Sequence, residues 1–437
     1  MSESIFSFKF LALLLILTAC RHESSDRSPA TSVLDNGLRV IVVDDPASTV
    51  VSAVVSIHSG SADEDSSESG AAHFLEHVIL FRGTEHRTGE AVLDSMRHTG
   101  AYFNGHTAHD WTTFEISTPP VTFTRALTLL HEMLFYPRID DAGVDVERHA
   151  ILEELQRYED HPVNKAYAMA QPLLFGDHPY RQPVIGTREA LRTLHVDRIL
   201  SFYRRNYVPN NMSVVVTGNV RREKAVEWIK NIFIEPSGPA VAPDRPTMTM
   251  NESKQNSFTV ADVRQAVVMW SAIGPAVSDE SMAAVDVLTY ILAEGESSRL
   301  HDHLRTQTNW ANEVHVDVNK RADASVIFIY AGVNSHHVDR VTAAVPALLD
   351  SLTRRVPLDH EIERARYQLK TAFELEMERS LARSVALAQY DAMADFSHVN
   401  RYRRQLDDLT SDDIADAARK YFTPGRFRLT AVLPRRP

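Results

Sequence analysis

Cysteine is almost absent from this chain: Cys20 is the only one among 437 residues. No disulfide can form within the chain, and a body without thiols suits an oxidising compartment, where a stray thiol would be a liability. Positive charge is also scarce. Lys and Arg number 46 against 58 Asp and Glu, a formal net charge of −12, which argues against a nucleic-acid partner and mildly favours neutral or basic substrates over acidic ones. The apolar run from Phe6 to Ala19 is interrupted by Ser7, Lys9 and Thr18 and is too short for a comfortable membrane span. What remains, 44% hydrophobic and 24% charged, is the composition of an ordinary globular chain, and its length exceeds what one hydrophobic core serves.

The segment from Phe6 to Ala19 suits the apolar region of a signal peptide, although Glu3 makes its leading end less basic than usual. It ends Leu17-Thr18-Ala19-Cys20, which resembles the lipobox of bacterial lipoproteins. That resemblance implies removal of residues 1–19, lipidation of Cys20 and a periplasmic body anchored to a membrane, the outer one because Arg21 rather than aspartate follows. Residues 20–32 are polar and read as a flexible tether.

Beyond the tether, Asn36-Gly37 predicts a tight turn between short strands, because glycine supplies the positive φ such a turn needs. The β-branched runs 40–43 and 50–57 predict buried strands, and residues 103–117 predict a further strand region. Helical patterns occupy 122–135, 143–158, 163–175 and 197–207, with a strand at 212–217. The unit Val196–Val216 recurs at Ser411–Ala431 with a constant offset of 215 positions, keeping Asp, Ile, an aromatic and Pro in register. Two copies of one domain explain this economically. The expected fold is α+β, two homologous α/β domains spanning 33–234 and 256–437, joined by a linker at 235–255 that is Pro-rich as far as Pro246.

The chemistry concentrates in Ala71-Ala72-His73-Phe74-Leu75-Glu76-His77-Val78. On a helix, positions i, i+3 and i+4 share one face, so His73, Glu76 and His77 converge. Two imidazoles one turn apart can chelate zinc, and a neighbouring carboxylate can accept a proton from zinc-bound water. The order His-x-x-Glu-His is that of the inverted zincins. A catalytic zinc needs a third protein ligand. Glu147 and Glu154 lie seven apart on one stripe of a helix, whereas Glu153 is turned off that stripe by about 100°. Glu154 is therefore the geometric choice of ligand, with Glu147 behind it as support; the alternative is a solvent-facing acidic helix. The equivalent place in the second copy, Val285–Thr289, has no histidine.

These residues resemble the pitrilysin/insulinase metallopeptidases, which include the mitochondrial processing peptidases and their bacterial relatives. The motif is followed by a glutamate 77 positions after its second histidine, and Leu34–Leu38, Gly83-Thr84, Glu159-Asp160-His161-Pro162 and Gly186-Thr187 also match. The resemblance implies a half-clamshell in each chain, one zinc held by His73, His77 and Glu154, and hydrolysis of extended or unfolded peptides inside a closed chamber, with Glu76 as the base. It matches Phe103, Asn104, Gly105 and His106 to an edge strand that pairs with substrate. Gly105 stands where alanine is commoner, which is expected to loosen that strand; His106 and His109 are expected to have surface or packing roles, the alternative being contact with substrate or another metal site. Active relatives carry an arginine, and a tyrosine seven positions later, that reach the scissile carbonyl from the second domain. Arg305 fits the arginine, but Asn312 replaces the tyrosine. The expected assembly is therefore a dimer, preferably with a related chain that supplies the arginine–tyrosine pair; the alternative is a non-hydrolytic peptide-binding or assembly subunit.

Overall fold

The computed structural model describes residues 28–239, 241, 245, 246, 248 and 256–435. Residues 1–19, expected to be a signal segment, and Cys20 lie outside the described residues. Among those described, no helix is long and apolar enough to cross a membrane.

The turn at Asn36-Gly37, with Gly37 at φ +83°, joins β1 (Ala30–Val33) to β2 (Arg39–Asp44). These two strands and β3 (Val51–Ile57), β4 (Tyr102–Thr107), β5 (Thr112–Thr118) and β6 (Met212–Gly218) make the first sheet, in the order β1-β2-β6-β3-β5-β4. The strand region expected over 103–117 is a hairpin rather than one strand. Ala108 N–H donates to Trp111 C=O at 2.8 Å across a turn carrying His109 and Asp110, so the chain reverses there without glycine or asparagine.

The second sheet contains β7 (Ser257–Ala261), β8 (Ala266–Ile273), β9 (Ala311–Asn319), β10 (Val326–Val333) and β11 (Arg428–Pro434), in the order β7-β11-β8-β10-β9. Without β1 the two orders coincide. β6 is parallel to β2 and antiparallel to β3, as β11 is to β7 and β8.

Eight helices matter for the site: α1 (Ala71–Phe81), α2 (Asp141–Asp160), α3 (Pro162–Phe175), α4 (Val196–Asn206), α5 (Met282–Ala293), α6 (Asp359–Glu378), α7 (Ser380–Met393) and α8 (Ser411–Tyr421). α4 and α8 keep the offset of 215 read from the sequence. The two halves are not separate in space, however. α7 from the second half covers the back of the first sheet, where Leu387 and Ala388 pack on Ile41, Val43, Val54 and Val215. α3 from the first half covers the second sheet, where Ala166 packs on Val267, Met269 and Val432. Each half thus lends one helix to the other. Across the join, Arg245 pairs with Asp63 at 3.0 Å, with Asp323 at 3.2 Å, and with Asp110, pinning the connecting segment to both halves.

Candidate active site

Helix α1 begins at Gly70, whose φ of +91° is open to glycine without strain. The half-buried carboxylate of Glu64 accepts the N–H groups of Gly70 and Ala72, both at 2.8 Å, satisfying donors that a helix start leaves unpaired. The helix is apolar nearly all round, so it is buried nearly all round. Its polar exceptions, His73, Glu76 and His77, face α2 and β4.

One ligand atom from each of His73, His77 and Glu154 lies within 4.8 Å of the others. His77 Nε2 is 3.3 Å from Glu154 Oε2, and His73 Nε2 is 3.8 Å from Glu154 Oε1. On its far side His77 Nδ1 meets Glu147 Oε2 at 3.1 Å, and Arg82 Nε holds Glu147 Oε1 at 2.6 Å. Glu147 is buried, whereas Glu153 points to solvent. The chain Arg82–Glu147–His77 fixes the ring's orientation and leaves Nε2 for the cluster.

The electrostatics suit a cation at the centre. Burial, helped by His77, pushes His73 down to about 4 against the opposing pull of Glu154; it is a neutral imidazole, the form that ligates metal. Burial also lowers His77, but its hydrogen bonds to Glu147 and Glu154 outweigh that and raise it to about 9. The hydrogen bond from His77 lowers Glu154 against burial. Two imidazole nitrogens and one carboxylate oxygen fit zinc, and three protein ligands leave a position open. The buried Nδ1 of His73 has no hydrogen-bond partner among the described residues.

Glu76 stands beside the cluster, nearly buried, and accepts a hydrogen bond from Thr107 Oγ1 at 2.6 Å. Burial raises its proton affinity despite that bond. Thr107 belongs to β4, the outermost strand of the first sheet. Gly105, on the same strand, also borders the carboxylate of Glu76. A Cβ there would lie 2.9 Å from Glu76 Cγ and 3.1 Å from Leu80 Cδ1; the absence of a side chain makes room for the carboxylate. Phe103 packs on the core of the first half. Asn104 and His106 meet at 3.3 Å on the strand, and His106 also approaches Glu115 at 3.5 Å. His109 is buried and bonded to Gln182 C=O.

The structure does not bring Arg305 to this cluster. Its guanidinium is exposed and contacts His301 Nε2 at 2.7 Å. Asn312 is exposed near the start of β9, an edge strand whose other end, Asn319, lines the cavity beside His73 and Glu154. Seven residues of extended strand separate Asn312 from Asn319, about 23 Å. The second half faces its own chain's cluster with Asn319, Lys320 and Arg321 instead. Sequence reasoning singled out none of Arg82, Lys320 or Arg321. Thr107 falls within the strand region expected over 103–117, but no periodicity marks it as the partner of Glu76.

Two family profiles match the chain. "Insulinase (Peptidase family M16)" covers residues 39–188 and "Peptidase M16 inactive domain" covers 193–369. An uncharacterized zinc protease of Streptomyces coelicolor is 29% identical over 396 residues, spanning 89% of this chain and 86% of the relative. Another, from Mycobacterium tuberculosis strain H37Rv, is 28% identical over 396 residues, spanning 90% of each. Among solved structures, a protease from Helicobacter pylori superposes with a TM-score of 0.87 at 24% identity, covering 93% of this chain and 100% of that one. A peptidase M16 inactive domain from Pseudomonas fluorescens gives 0.85 at 17% identity, covering 94% and 98%. At these identities the solved structures speak for the fold alone.

Proposed function

Because this chain belongs to the insulinase family of peptidases, we propose that it is a zinc-dependent endopeptidase acting on extended or unfolded peptides. The observation that carries this reading is the convergence of His73, His77 and Glu154 with Glu76 beside them. His73, His77 and Glu154 would hold one zinc per chain. When bound, zinc supplies Lewis acidity, polarising a carbonyl and lowering the pKa of water from about 15.7 to about 7. Glu76, with its raised proton affinity, accepts a proton from the attacking water and returns it to the leaving amine. Thr107 keeps Glu76 aimed, and Glu147 with Arg82 keeps His77 aimed. The free edge of β4 offers backbone donors and acceptors to an incoming peptide as an added strand.

The remoteness of Arg305 and Asn312 favours a second chain as the source of the arginine–tyrosine pair at the carbonyl. A missing oxyanion donor costs about 10²–10³ in rate, so the chain alone would be a slow peptidase. In this reading it also carries lipid on Cys20 and faces the periplasm.

The test is incubation of the purified chain with a mixture of unstructured peptides, with and without chelator, beside the Glu76→Gln protein. Chelator-sensitive cleavage lost in Glu76→Gln supports the reading; parental cleavage by Glu76→Gln overturns it. A related chain carrying arginine and tyrosine should raise the rate when added. Full activity of the purified chain alone, unchanged by Asn312→Ala, would sink that division of labour. Labelled fatty acid that fails to enter the chain would remove the lipoprotein claim only.

A further inference from the structure

The cavity that holds His73 and Glu154 is about 440 Å³ and runs from the metal ligands to the turn between β9 and β10, where Arg321 closes its far wall. Arg321 is 1% exposed. Among the described residues its guanidinium has only neutral acceptors: Tyr167 Oη at 3.0 Å, Gln171 Oε1 at 3.3 Å and Tyr180 C=O at 3.4 Å. Its Nε is buried with no partner, and among the described residues no carboxylate forms an ion pair with it. The rings of Phe175 and Tyr180 flank it. A guanidinium removed from water is ordinarily paired, because an isolated buried charge is costly.

The other charges around the cavity are committed. Lys320 is 2.7 Å from Asp286, and Asp110 is held by Arg245 and by Ala322 N–H. Glu154 belongs to the cation cluster. Tyr158, one turn beyond Glu154 on α2, lines the same cavity as Glu154 and Arg321, and its hydroxyl has no hydrogen-bond partner among the described residues. Arg321 acts on that phenol, drawing its pKa down against burial, which with Tyr167 lifts it to about 12.

Resting on the peptidase reading, we propose that Tyr158 and Arg321 form a carboxylate subsite in the wall of the metal cavity. An anionic group of the bound peptide accepts a hydrogen bond from the Tyr158 hydroxyl and compensates the charge of Arg321. The source of that carboxylate is either an aspartate or glutamate side chain near the scissile bond or the peptide's own terminus. The chain's overall charge of −12 does not oppose this, because a screened surface field weakens within about 8–10 Å while a buried charge acts on its own cavity.

The test uses one unstructured peptide in matched forms: Glu against Gln at each internal position in turn, and free acid against amide at the terminus. Cleavage by the zinc-loaded chain gives kcat/KM ratios, and fluorescence anisotropy of labelled peptides on the metal-free chain gives binding ratios. At least one acid-to-neutral ratio should exceed about tenfold, the scale of a charge-assisted hydrogen bond; which one it is identifies the source. Arg321→Met should bring that ratio to near one, and Tyr158→Phe should lower it about threefold or more. Should Arg321→Met fail to fold, Tyr158→Phe decides. Ratios near one in the parent chain, or a preference untouched by both substitutions, would overturn the subsite while chelator-sensitive cleavage leaves the peptidase reading standing. Binding ratios above tenfold without any cleavage would do the reverse.

Discussion

Helices α1 and α5 follow equivalent strands in two copies of one topology, yet they treat buried polarity in opposite ways. α1 brings two histidines against Glu154, leaving a cluster that a cation completes. α5 buries Asp286, and the second half completes that acid from within: Lys320 Nζ lies at 2.7 Å and Tyr402 Oη donates at 2.5 Å. One copy keeps its site open to a cation from solution, and the other fills its own with an ammonium. A repeated fold therefore does not carry repeated chemistry. What separates the two is a handful of side chains on one helix face.

The comparison breaks most visibly at α1. His73→Ala or His77→Ala should lose zinc, measured by elemental analysis, and peptide cleavage with it. Glu76→Gln should keep the zinc and lower the rate by about 10²–10⁴, the contribution of a positioned acid–base group. Retention of zinc by both histidine variants would place the cation elsewhere. In Gly105→Ala, the new methyl lies 2.9 Å from Glu76 Cγ; displacing the base should cost about tenfold or more in kcat with zinc content unchanged. An unaffected rate would mean Glu76 has room to move.

The matching intervention in the second half is Lys320→Met. It strands Asp286 with Tyr402 alone, and urea unfolding should show a loss of about 3 kcal/mol, toward the lower end for a buried pair because the lysine side chain keeps 26% of its surface in water. Zinc content should not change. Loss of zinc would show that the second half shapes the metal site after all.

The smallest effect concerns pH. Asp391 on α7 reaches Arg39 Nη1 on β2 at 2.5 Å and His58 at 3.4 Å. Burial raises its pKa, but His58 and Arg39 outweigh that and hold it below the usual value of 3.8. The unfolded chain therefore binds the proton more readily than the folded one. The stabilisation is present above pH 3.8 and disappears as pH falls through the lower, folded value. Asp391→Asn should reduce stability near neutrality and flatten its dependence on acid below pH 4. An unchanged acid slope would assign that slope to other carboxylates.

Much of the site was legible because its geometry is local. Spacings of three, four and seven residues on helices fix which side chains share a face, so His73, Glu76, His77, Glu147 and Glu154 could be named from the chain alone. The register of the repeat was legible for the same reason, since α4 and α8 carry the same turn and strand behind them. Contacts that depend on which element packs where left no such trace. Arg82 is one residue past the end of α1 and reads as a surface charge. Arg321 reads as part of a polar turn, although the fold buries it. Gly105 reads as a weak point in a strand until the carboxylate beneath it is placed. Exposure of Arg305, in the helical turn before β9, and of Asn312, at the end of β9 away from the cavity, likewise follows from the fold rather than from spacing.

The exchanged helices bear on how the chain is made. The apolar back of the first sheet, Ile41, Val43, Val54 and Val215, waits for α7, which begins 162 residues after the end of β6. At about 5–20 residues per second of synthesis, that face stays bare for roughly 8–32 s. During that time it is an aggregation hazard that only the remainder of the polypeptide, or a chaperone, can cover. The exchange has the geometry of a domain-swapped dimer whose two protomers have been joined by a linker. A chain severed between the halves should accordingly give two fragments that are each poorly soluble alone and that fold when combined.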